Sequence, residues 1–178
     1  MEVVIEPEHP TDHEAIGDVV RAAFVDEPSV ARLVELIRAS PQYLPGLALV
    51  ARYGGEVVGH VMISRAQLLD DASGRTHDVL TLSPLAVAPA VQGRGIGSAL
   101  VRAVLALAER RPEPLVTLEG SPRYYPRFGF RDCRDVGVAI DLPDWAPREA
   151  GQVYLLPSYS PAVRGRLVYP PAFDSYDE

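Results

Sequence analysis

The sequence of 178 residues contains no lysine and no asparagine, and all 17 of its basic residues are arginines. Without lysine the chain cannot form a Walker A loop, which needs a G-K-[ST] sequence to bind phosphate. It also cannot form the lysine Schiff base on which pyridoxal-type enzymes depend. The missing lysine therefore excludes two large classes of enzyme.

Cysteine is almost as scarce, since Cys133 is the only one. A lone cysteine cannot form an internal disulfide, which fits a reducing compartment. The start of the chain, MEVVIEPEHP, lacks the basic and long apolar segments of a secretory signal, so we expect a cytoplasmic protein. We predict an inert Cys133 and no metal site, because the histidines lie without metal-binding spacing at His9, His13, His60 and His77.

Basic residues are fewer than acidic ones, 17 against 24, which gives a formal net charge of -7. Nucleic-acid-binding proteins usually display a basic patch, so we expect no nucleic-acid partner, whereas a cationic substrate is compatible with this charge. No apolar run is long enough to cross a bilayer, and we expect no membrane partner. The composition, 47% hydrophobic and 23% charged, is that of a globular protein. The length predicts one domain over residues 1–178.

The first 40 residues predict a strand at VVIEP followed by two helices. Thr11 and Glu14 have the spacing of a capping box, which predicts a helix as far as about Phe24. Pro28 suits the first position of the second helix. The apolar residues at helical spacing in this second helix are Val30, Leu33, Val34 and Ile37.

Two apolar runs separated by Gly54-Gly55 predict a β-hairpin, because glycine accepts the positive φ angles of a tight turn. The polar stretch AQLLDDASGRTH then predicts a loop. The next run, DVLTLSPLAVAP, predicts a long strand. Pro84 lies in its middle and has no N–H for pairing, so it marks a bulge or a local break.

The second half of the chain predicts a helix with an apolar stripe, several strands and a proline-rich tail. The helix ends near Arg110, and LVTLE, DVGVAI and QVYLL are strand candidates. SPRYYPRFGF predicts a short helical turn that Pro126 and Gly129 end, and RGRLVYP predicts an edge strand followed by a frayed end. The helix stripe comprises Leu100, Ala103, Val104 and Leu107. Helices and strands alternate, which indicates an α/β or α+β domain.

Between the long strand and this helix lies the glycine-rich turn VQGRGIGS. Gly93, Gly95 and Gly97 allow backbone N–H groups to converge on an anion at the helix N-terminus, where the helix dipole is favourable. A tight turn without a ligand explains the same glycines equally well at this point. A Rossmann fingerprint is excluded, because Ser98 stands where that motif needs glycine or alanine.

VQGRGIGS matches the Q/R-x-x-G-x-G/A pattern, and the chain thereby resembles the GNAT superfamily of N-acetyltransferases. LAVAP before the turn resembles that family's fourth strand, SALVRAVLALAERR its third helix, and YYPRFGF its Y-x-x-x-G-F signature. The order of elements follows the family over about residues 2–156, which leaves about 157–178 as a C-terminal extension. The resemblance implies an α/β fold with a mixed, mostly antiparallel sheet, flanked by helices and splayed at an acyl-CoA site.

The resemblance also implies acetyl-CoA as co-substrate. The pyrophosphate of coenzyme A would lie on the backbone amides of Gln92, Gly93, Arg94, Gly95, Ile96, Gly97 and Ser98. The pantetheine arm would pair like an extra strand with Leu85, Ala86 and Val87. The backbone N–H near Val87 would polarise the thioester carbonyl, a contribution on the order of 3 kcal/mol per donor in acyl transfer.

Tyr125 occupies the tyrosine position of the family signature and resembles the residue that protonates the departing sulfur; the alternative is a packing aromatic. The general base is open between Glu119 and Asp78, and either would act through water. His60 is interpreted as a strand histidine, although its ordinary pKa near neutrality keeps it a candidate. The family's asparagine before the tyrosine is missing, so contacts around Ser121 do not carry over.

The leading interpretation is an acetyl-CoA-dependent N-acetyltransferase that moves the acetyl group directly to a primary amine. The alternative is a non-catalytic acyl-CoA-binding or regulatory module, and a nucleotide-phosphate binder is a third possibility. The acceptor, a small-molecule amine or a protein amine, is not encoded in any motif. The resemblance also allows a homodimer in which the tail supplies an exchanged strand.

Overall fold

In the computed structural model, which describes residues 2–174, the chain passes back and forth between two units. Within the described residues, unit one comprises 2–64, 83–110 and 171–174, and unit two comprises 65–82 and 111–170. No helix in this described part of the chain is long and apolar enough to cross a membrane.

Unit one carries the three α-helices of residues 2–174. In chain order it contains β1 (Val3–Pro7), α1 (His13–Ala23), α2 (Ser29–Arg38), β2 (Ala48–Tyr53), the first part of β3 (Glu56–Asp70), the last part of β4 (Arg75–Val87) and α3 (Ile96–Ala108). β1 and β3 pair antiparallel with β2 on its two sides. Gly54 and Gly55 join β2 to β3 with φ angles of +59° and +85°, which confirms the predicted hairpin.

The core of unit one forms where α1 and α2 pack on one face of these strands. Ile16 and Val20 from α1 are fully buried with Met62 from β3. The predicted apolar face of α2 is confirmed, because all four of its residues are buried: Val30, Leu33, Val34 and Ile37. These contacts remove a large apolar area from water, which is the main favourable contribution to folding.

The sequence placed two helix features slightly wrong. The predicted capping box of Thr11 and Glu14 is wrong, because α1 has no side-chain cap. A capping box instead joins His9 and Asp12 across the 3₁₀ turn Pro10–Asp12 that precedes α1, where His9 N–H donates to the Asp12 carboxylate at 2.8 Å. The stripe of α3 is rotated from the predicted one. Its buried residues are Ile96, Leu100, Val101, Val104, Leu105 and Ala108, whereas Ala103 and Leu107 are half-buried.

Unit two contains the rest of β3 and β4 together with five further strands. These are β5 (Leu115–Glu119), β6 (Arg131–Asp132), β7 (Val138–Ala139), β8 (Gly151–Leu155) and β9 (Gly165–Val168). β5 pairs with β4 in parallel and with β8 antiparallel, and β6 pairs with β8. The LVTLE and QVYLL strands are confirmed, while DVGVAI yields only the two residues of β7.

The loop predicted at AQLLDDASGRTH is wrong, because β3 continues to Asp70 and β4 begins at Arg75. Ala66 and Leu68 alternate inward and are buried, which explains why this stretch stays extended. A short turn joins the two strands, and Gly74 in it has a φ of +70°.

The tail is also more ordered than predicted. β9 pairs with β3 antiparallel and with β7 in parallel, so it is not an edge strand. Beyond it, Pro171–Phe173 forms a turn of 3₁₀ helix, and Ala172 and Phe173 pack against the core of unit one. The predicted fraying is therefore wrong up to residue 174, and residues 175–178 lie outside the described part.

The sheet is mixed and mostly antiparallel, as predicted, with β4–β5 and β7–β9 as its parallel pairs. Its main strand order is β1-β2-β3-β4-β5-β8-β6, and β7 and β9 lie off this path. The strands β3 and β4 each run through both units. This architecture confirms the predicted fold class.

Gly59→Ala tests the packing of α3 on the sheet. A methyl group at Gly59 would lie 2.9 Å from Leu100 Cδ1 and 3.3 Å from the Ala86 carbonyl oxygen. We expect overpacking to lower the free energy of unfolding by about 1–3 kcal/mol, measured by urea denaturation. Gly46→Ala is the control, because no atom lies within 4 Å of the added methyl. Equal stability of the two variants would contradict this account.

Candidate active site

The glycine turn in unit one has a left-handed backbone at two of its three glycines. Gly93 has a φ of +74° and Gly95 a φ of +83°. A methyl group at either would meet no atom within 4 Å, so the φ angle and not crowding calls for glycine. Gly97 lies in the first turn of α3, without a positive φ.

Helix α3 begins at this turn without a side-chain cap. Gly95 is the N-cap residue, and no side chain accepts a hydrogen bond at that position. The first N–H groups of a helix have no partner within the helix, and the helix dipole favours an anion beside them. The residues around this end are exposed from Gln92 to Gly95. The turn therefore fits a phosphate-type anion.

A 3₁₀ turn, Pro89–Val91, connects the last residues of β4 to the glycine turn. Leu85 and Val87 are half-buried, whereas Ala86 is buried, as the alternation of a strand requires. The Gln92 side chain donates from Nε2 to the Val87 carbonyl oxygen at 2.9 Å. The Ser83–Pro84 bond is cis, and β4 continues through Pro84 to Val87. The two predicted cofactor-binding segments are thus joined by a hydrogen bond.

Tyr125 in unit two begins a turn of 3₁₀ helix, Tyr125–Phe128, that follows β5. Pro126 lies inside this turn, and Gly129, with a φ of +103°, follows it. The Tyr125 ring makes edge contacts with Tyr124 and Phe130 at centroid distances of 5.0 and 5.8 Å. Burial raises the pKa of the Tyr125 phenol to about 12, and Tyr124 adds to this effect. The phenol therefore stays protonated.

Glu119 is the last residue of β5, and its carboxylate accepts a hydrogen bond from the Tyr169 hydroxyl. Although Glu119 is exposed as a residue, nearby protein atoms desolvate its carboxylate. This desolvation has the largest effect and raises the pKa of Glu119. The Tyr169 hydrogen bond lowers the pKa and the charge of Asp141 raises it, so the pKa of Glu119 lies above its usual value. The sequence did not reveal Tyr169, because its partner lies 50 residues earlier.

The other base candidates have different surroundings. Asp78 is exposed and accepts a hydrogen bond from Gln67 at 3.0 Å. His60 is fully buried, and its Nδ1 lies 3.0 Å from the Leu49 carbonyl oxygen. Burial lowers the pKa of His60 to about 4, so it is neutral at physiological pH. Glu119 has a raised pKa, which a general base can use.

His60 belongs to a buried polar network that the sequence did not reveal. Arg38 donates two hydrogen bonds of 2.9 Å to Glu8, and Tyr43 donates a third of 2.6 Å. Burial would raise the pKa of Glu8, but these hydrogen bonds outweigh it and hold the pKa below its usual value. The network connects the end of β1 with the end of α2.

Cys133 is buried, and burial raises the pKa of its thiol, so little thiolate forms. Within residues 2–174, no group of three or more histidine, cysteine, aspartate or glutamate side chains is placed to hold a metal ion. Neither Cys133 nor a metal-binding group within residues 2–174 therefore joins the candidate site residues.

Comparison with known proteins gives consistent matches. A model of the acetyltransferase (GNAT) family matches residues 18–130. YjhQ, an uncharacterized N-acetyltransferase of Escherichia coli (strain K12), is 32% identical over 138 residues, which are 76% of this chain and 75% of YjhQ.

Two solved structures are similar over nearly the whole chain. The GNAT family N-acetyltransferase YhbS of Escherichia coli, in complex with CoA, has a TM-score of 0.85 at 26% identity and covers 98% of this chain and 93% of its own. A GNAT family acetyltransferase of Brucella melitensis, in complex with acetyl-CoA, has a TM-score of 0.78 at 28% identity, with coverages of 97% and 99%.

Tyr169→Phe tests the hydrogen bond to Glu119. Removing the phenol removes the contact that lowers the pKa of Glu119, so this pKa should rise and the titration midpoint should move to higher pH. The measurement is an NMR titration of the Glu119 carboxyl carbon. Tyr159→Phe is the control, because Tyr159 packs against the same core of unit two. An unchanged midpoint in Tyr169→Phe would show that the hydrogen bond is absent in solution.

Proposed function

Since the chain belongs to the acetyltransferase (GNAT) family, we propose that it uses acetyl-CoA to acetylate a primary amine by direct transfer. The observation that carries this proposal is the N-terminus of α3, where two left-handed glycines leave the helix end without a side-chain cap. Similar chains from Escherichia coli and Brucella melitensis were solved with CoA and acetyl-CoA, which supports the same cofactor here.

The chain's own backbone would hold the cofactor in unit one. The amides of Gln92 to Ser98 would bind its pyrophosphate, as the exposed helix end favours. The backbone of Leu85, Ala86 and Val87 would pair with its pantetheine arm. The hydrogen bond from Gln92 to the Val87 carbonyl would hold these two segments in register with each other.

When bound, acetyl-CoA supplies an acetyl group activated as a thioester. The N–H near Val87 would donate to the thioester carbonyl and stabilise the negative charge that develops there. Glu119 would accept, through water, the proton that a cationic acceptor must lose to become a neutral, attacking amine. The second proton, lost from nitrogen as the amide forms, would pass to the departing thiolate. The raised pKa of Glu119 makes it a stronger base than a solvated carboxylate.

Tyr125 would donate its phenolic proton toward the departing sulfur. Because its pKa is about 12, the phenol is protonated throughout the physiological range and is always available as a donor. The same high pKa makes complete proton transfer to a thiolate unfavourable, since a thiol has an ordinary pKa near 8.5. Tyr125 would therefore act mainly by a hydrogen bond to the sulfur as its charge develops.

The acceptor would be a cationic amine, on a small molecule or on a protein. A formal net charge of -7 favours the approach of such a substrate. We further propose that the protein acts in the cytoplasm and as a homodimer, in keeping with its lone cysteine and with the family resemblance.

Acetyl-CoA should raise the melting temperature and should compete with desulfo-CoA; ligand at about 100 times Kd stabilises a protein by about 2.7 kcal/mol. Gly95→Ala should weaken this binding by about tenfold or more, because an L-residue resists the φ of +83° and the turn must rearrange. Isothermal titration calorimetry measures both affinities.

Gly74→Ala is the matched control for backbone strain. Gly74 also has a left-handed φ, +70°, and open space around it, but it lies in the β3–β4 turn. Both variants should lose similar stability, and only Gly95→Ala should lose affinity for acetyl-CoA. No thermal shift of the wild-type protein at millimolar acetyl-CoA would contradict the assignment, and protection by ATP instead would favour a nucleotide-phosphate binder.

Tyr125→Phe should lower kcat by roughly 10²-fold while leaving the affinity for acetyl-CoA unchanged, because only the hydrogen-bond donor to the developing thiolate is removed. Release of the CoA thiol, measured over a panel of amines, reports the rate and identifies the acceptor. Tyr53→Phe is the control, since Tyr53 is an exposed phenol at the β2–β3 hairpin.

The two leading interpretations differ in this assay. An enzyme releases thiol with at least one amine and loses rate in Tyr125→Phe. A non-catalytic acyl-CoA-binding module binds the cofactor but releases no thiol with any amine. Full activity in Tyr125→Phe would remove the phenol from the mechanism.

A further inference from the structure

We propose that Gln152 is a positioning residue for Tyr125, and that it acts by fixing the backbone of Gly120 and Ser121. The proposal rests on the proposed function, because Tyr125 is the donor assigned there. All of the contacts that carry it lie within unit two.

Gln152 lies on β8 between two neighbouring strands. It pairs with Leu118 of β5 on one side and with Asp132 of β6 on the other. Gln152 is 2% exposed, and its side chain bonds to the backbone just past the end of β5. There Nε2 donates to the Gly120 carbonyl at 3.2 Å and to the Ser121 carbonyl at 3.3 Å. Both N–H groups of the amide are therefore used on consecutive peptide units.

Those two peptide units are the ones on which Tyr125 depends. The Ser121 carbonyl also accepts the N–H groups of Tyr124 and Tyr125, at 3.2 and 3.3 Å. A methyl group at Gly120 would lie only 2.5 Å from Cε2 of the Tyr125 ring, so this ring rests directly on the Gly120 backbone. A shift of either peptide unit would therefore move the phenol.

Stability alone does not explain the choice of glutamine. Among the described residues, Gln152 Oε1 is buried and has no hydrogen-bond partner. An unsatisfied buried acceptor destabilises a fold, and an apolar side chain would avoid that cost. What glutamine provides here, and an apolar residue does not, is the pair of N–H donors on the Gly120–Ser121 segment. A displacement of about 1 Å in a reacting group is enough to slow an enzyme by 10²-fold.

Gln152→Leu removes both donors and keeps the position apolar. We expect kcat to fall by about tenfold to hundredfold, with the KM for acetyl-CoA within about twofold of the wild-type value. The stability to urea should change little, because the loss of two hydrogen bonds is offset by the removal of the unsatisfied Oε1. Gln42→Leu, the same change in the segment between α2 and β2, is the control and should leave kcat unchanged. Gln152→Met, which keeps the length of glutamine without its donors, repeats the test if leucine disturbs packing.

A double-mutant cycle separates positioning from a general loss of structure. If Gln152 acts through the Tyr125 hydroxyl, Gln152→Leu should cost almost nothing in a Tyr125→Phe background. Losses that multiply in the double variant, or an unchanged kcat in the single one, would overturn the proposal.

Hydrogen exchange tests the same contact without turnover. The amides of Tyr124 and Tyr125 should exchange about tenfold faster in Gln152→Leu, while those of β8 keep their protection. Unchanged exchange at both tyrosines would overturn the proposal even if kcat fell. If the wild-type protein transferred acetyl to no amine, the proposed function would fail, and faster exchange would still support the positioning of Tyr125 by Gln152.

Discussion

The backbone at Gly93 and Gly95 bends from an extended strand into a helix through two left-handed residues, at φ angles of +74° and +83°. This bend determines where α3 begins, and therefore which N–H groups of that helix are left without internal partners. A 3₁₀ turn, Pro89–Val91, precedes these glycines and brings Gln92 within hydrogen-bonding distance of the Val87 carbonyl. The proposed pyrophosphate turn thus depends on a backbone conformation that L-residues resist.

The polar network under α1 and α2 shows how unit one accommodates a buried charge. Glu8 has a side chain only 1% exposed, yet Arg38 and Tyr43 satisfy its carboxylate with three hydrogen bonds. Removing one partner of a buried ion pair leaves an uncompensated buried charge, which strongly destabilises the fold. His60 lies 3.8 Å from Glu8, is fully buried and remains neutral.

Local patterns predicted most of the elements because the forces behind them are local. The hairpin at Gly54-Gly55, the buried face of α2 and the LVTLE strand follow from φ preferences and apolar spacing. The stretch AQLLDDASGRTH was misassigned because its polar residues face out while Ala66 and Leu68 face the core, and pairing with β9 stabilises it from almost 100 residues away. Such pairing leaves no trace in a short window of sequence.

The candidate site also contains some features that local sequence predicted and others that it did not. Its glycine turn and Tyr125 were recognisable from motifs, and their chemical roles stay predictions. Two contacts around the proposed catalytic residues were not recognisable: the Tyr169 hydroxyl that bonds to Glu119, and the Gln152 amide that bonds to the backbone of Gly120 and Ser121. Both come from residues far along the chain. A hydrogen bond between distant residues depends on the folded arrangement, which no spacing rule encodes.

The contact between Tyr169 and Glu119 also orders events during synthesis. Glu119 leaves the ribosome 50 residues before the hydroxyl that bonds to its carboxylate. A nascent chain that already contains the glycine turn, α3 and Tyr125 still lacks β9 and the phenol that follows it. The carboxylate therefore acquires its final environment only after the chain has been made as far as Tyr169, when nearly all of the residues described here are present.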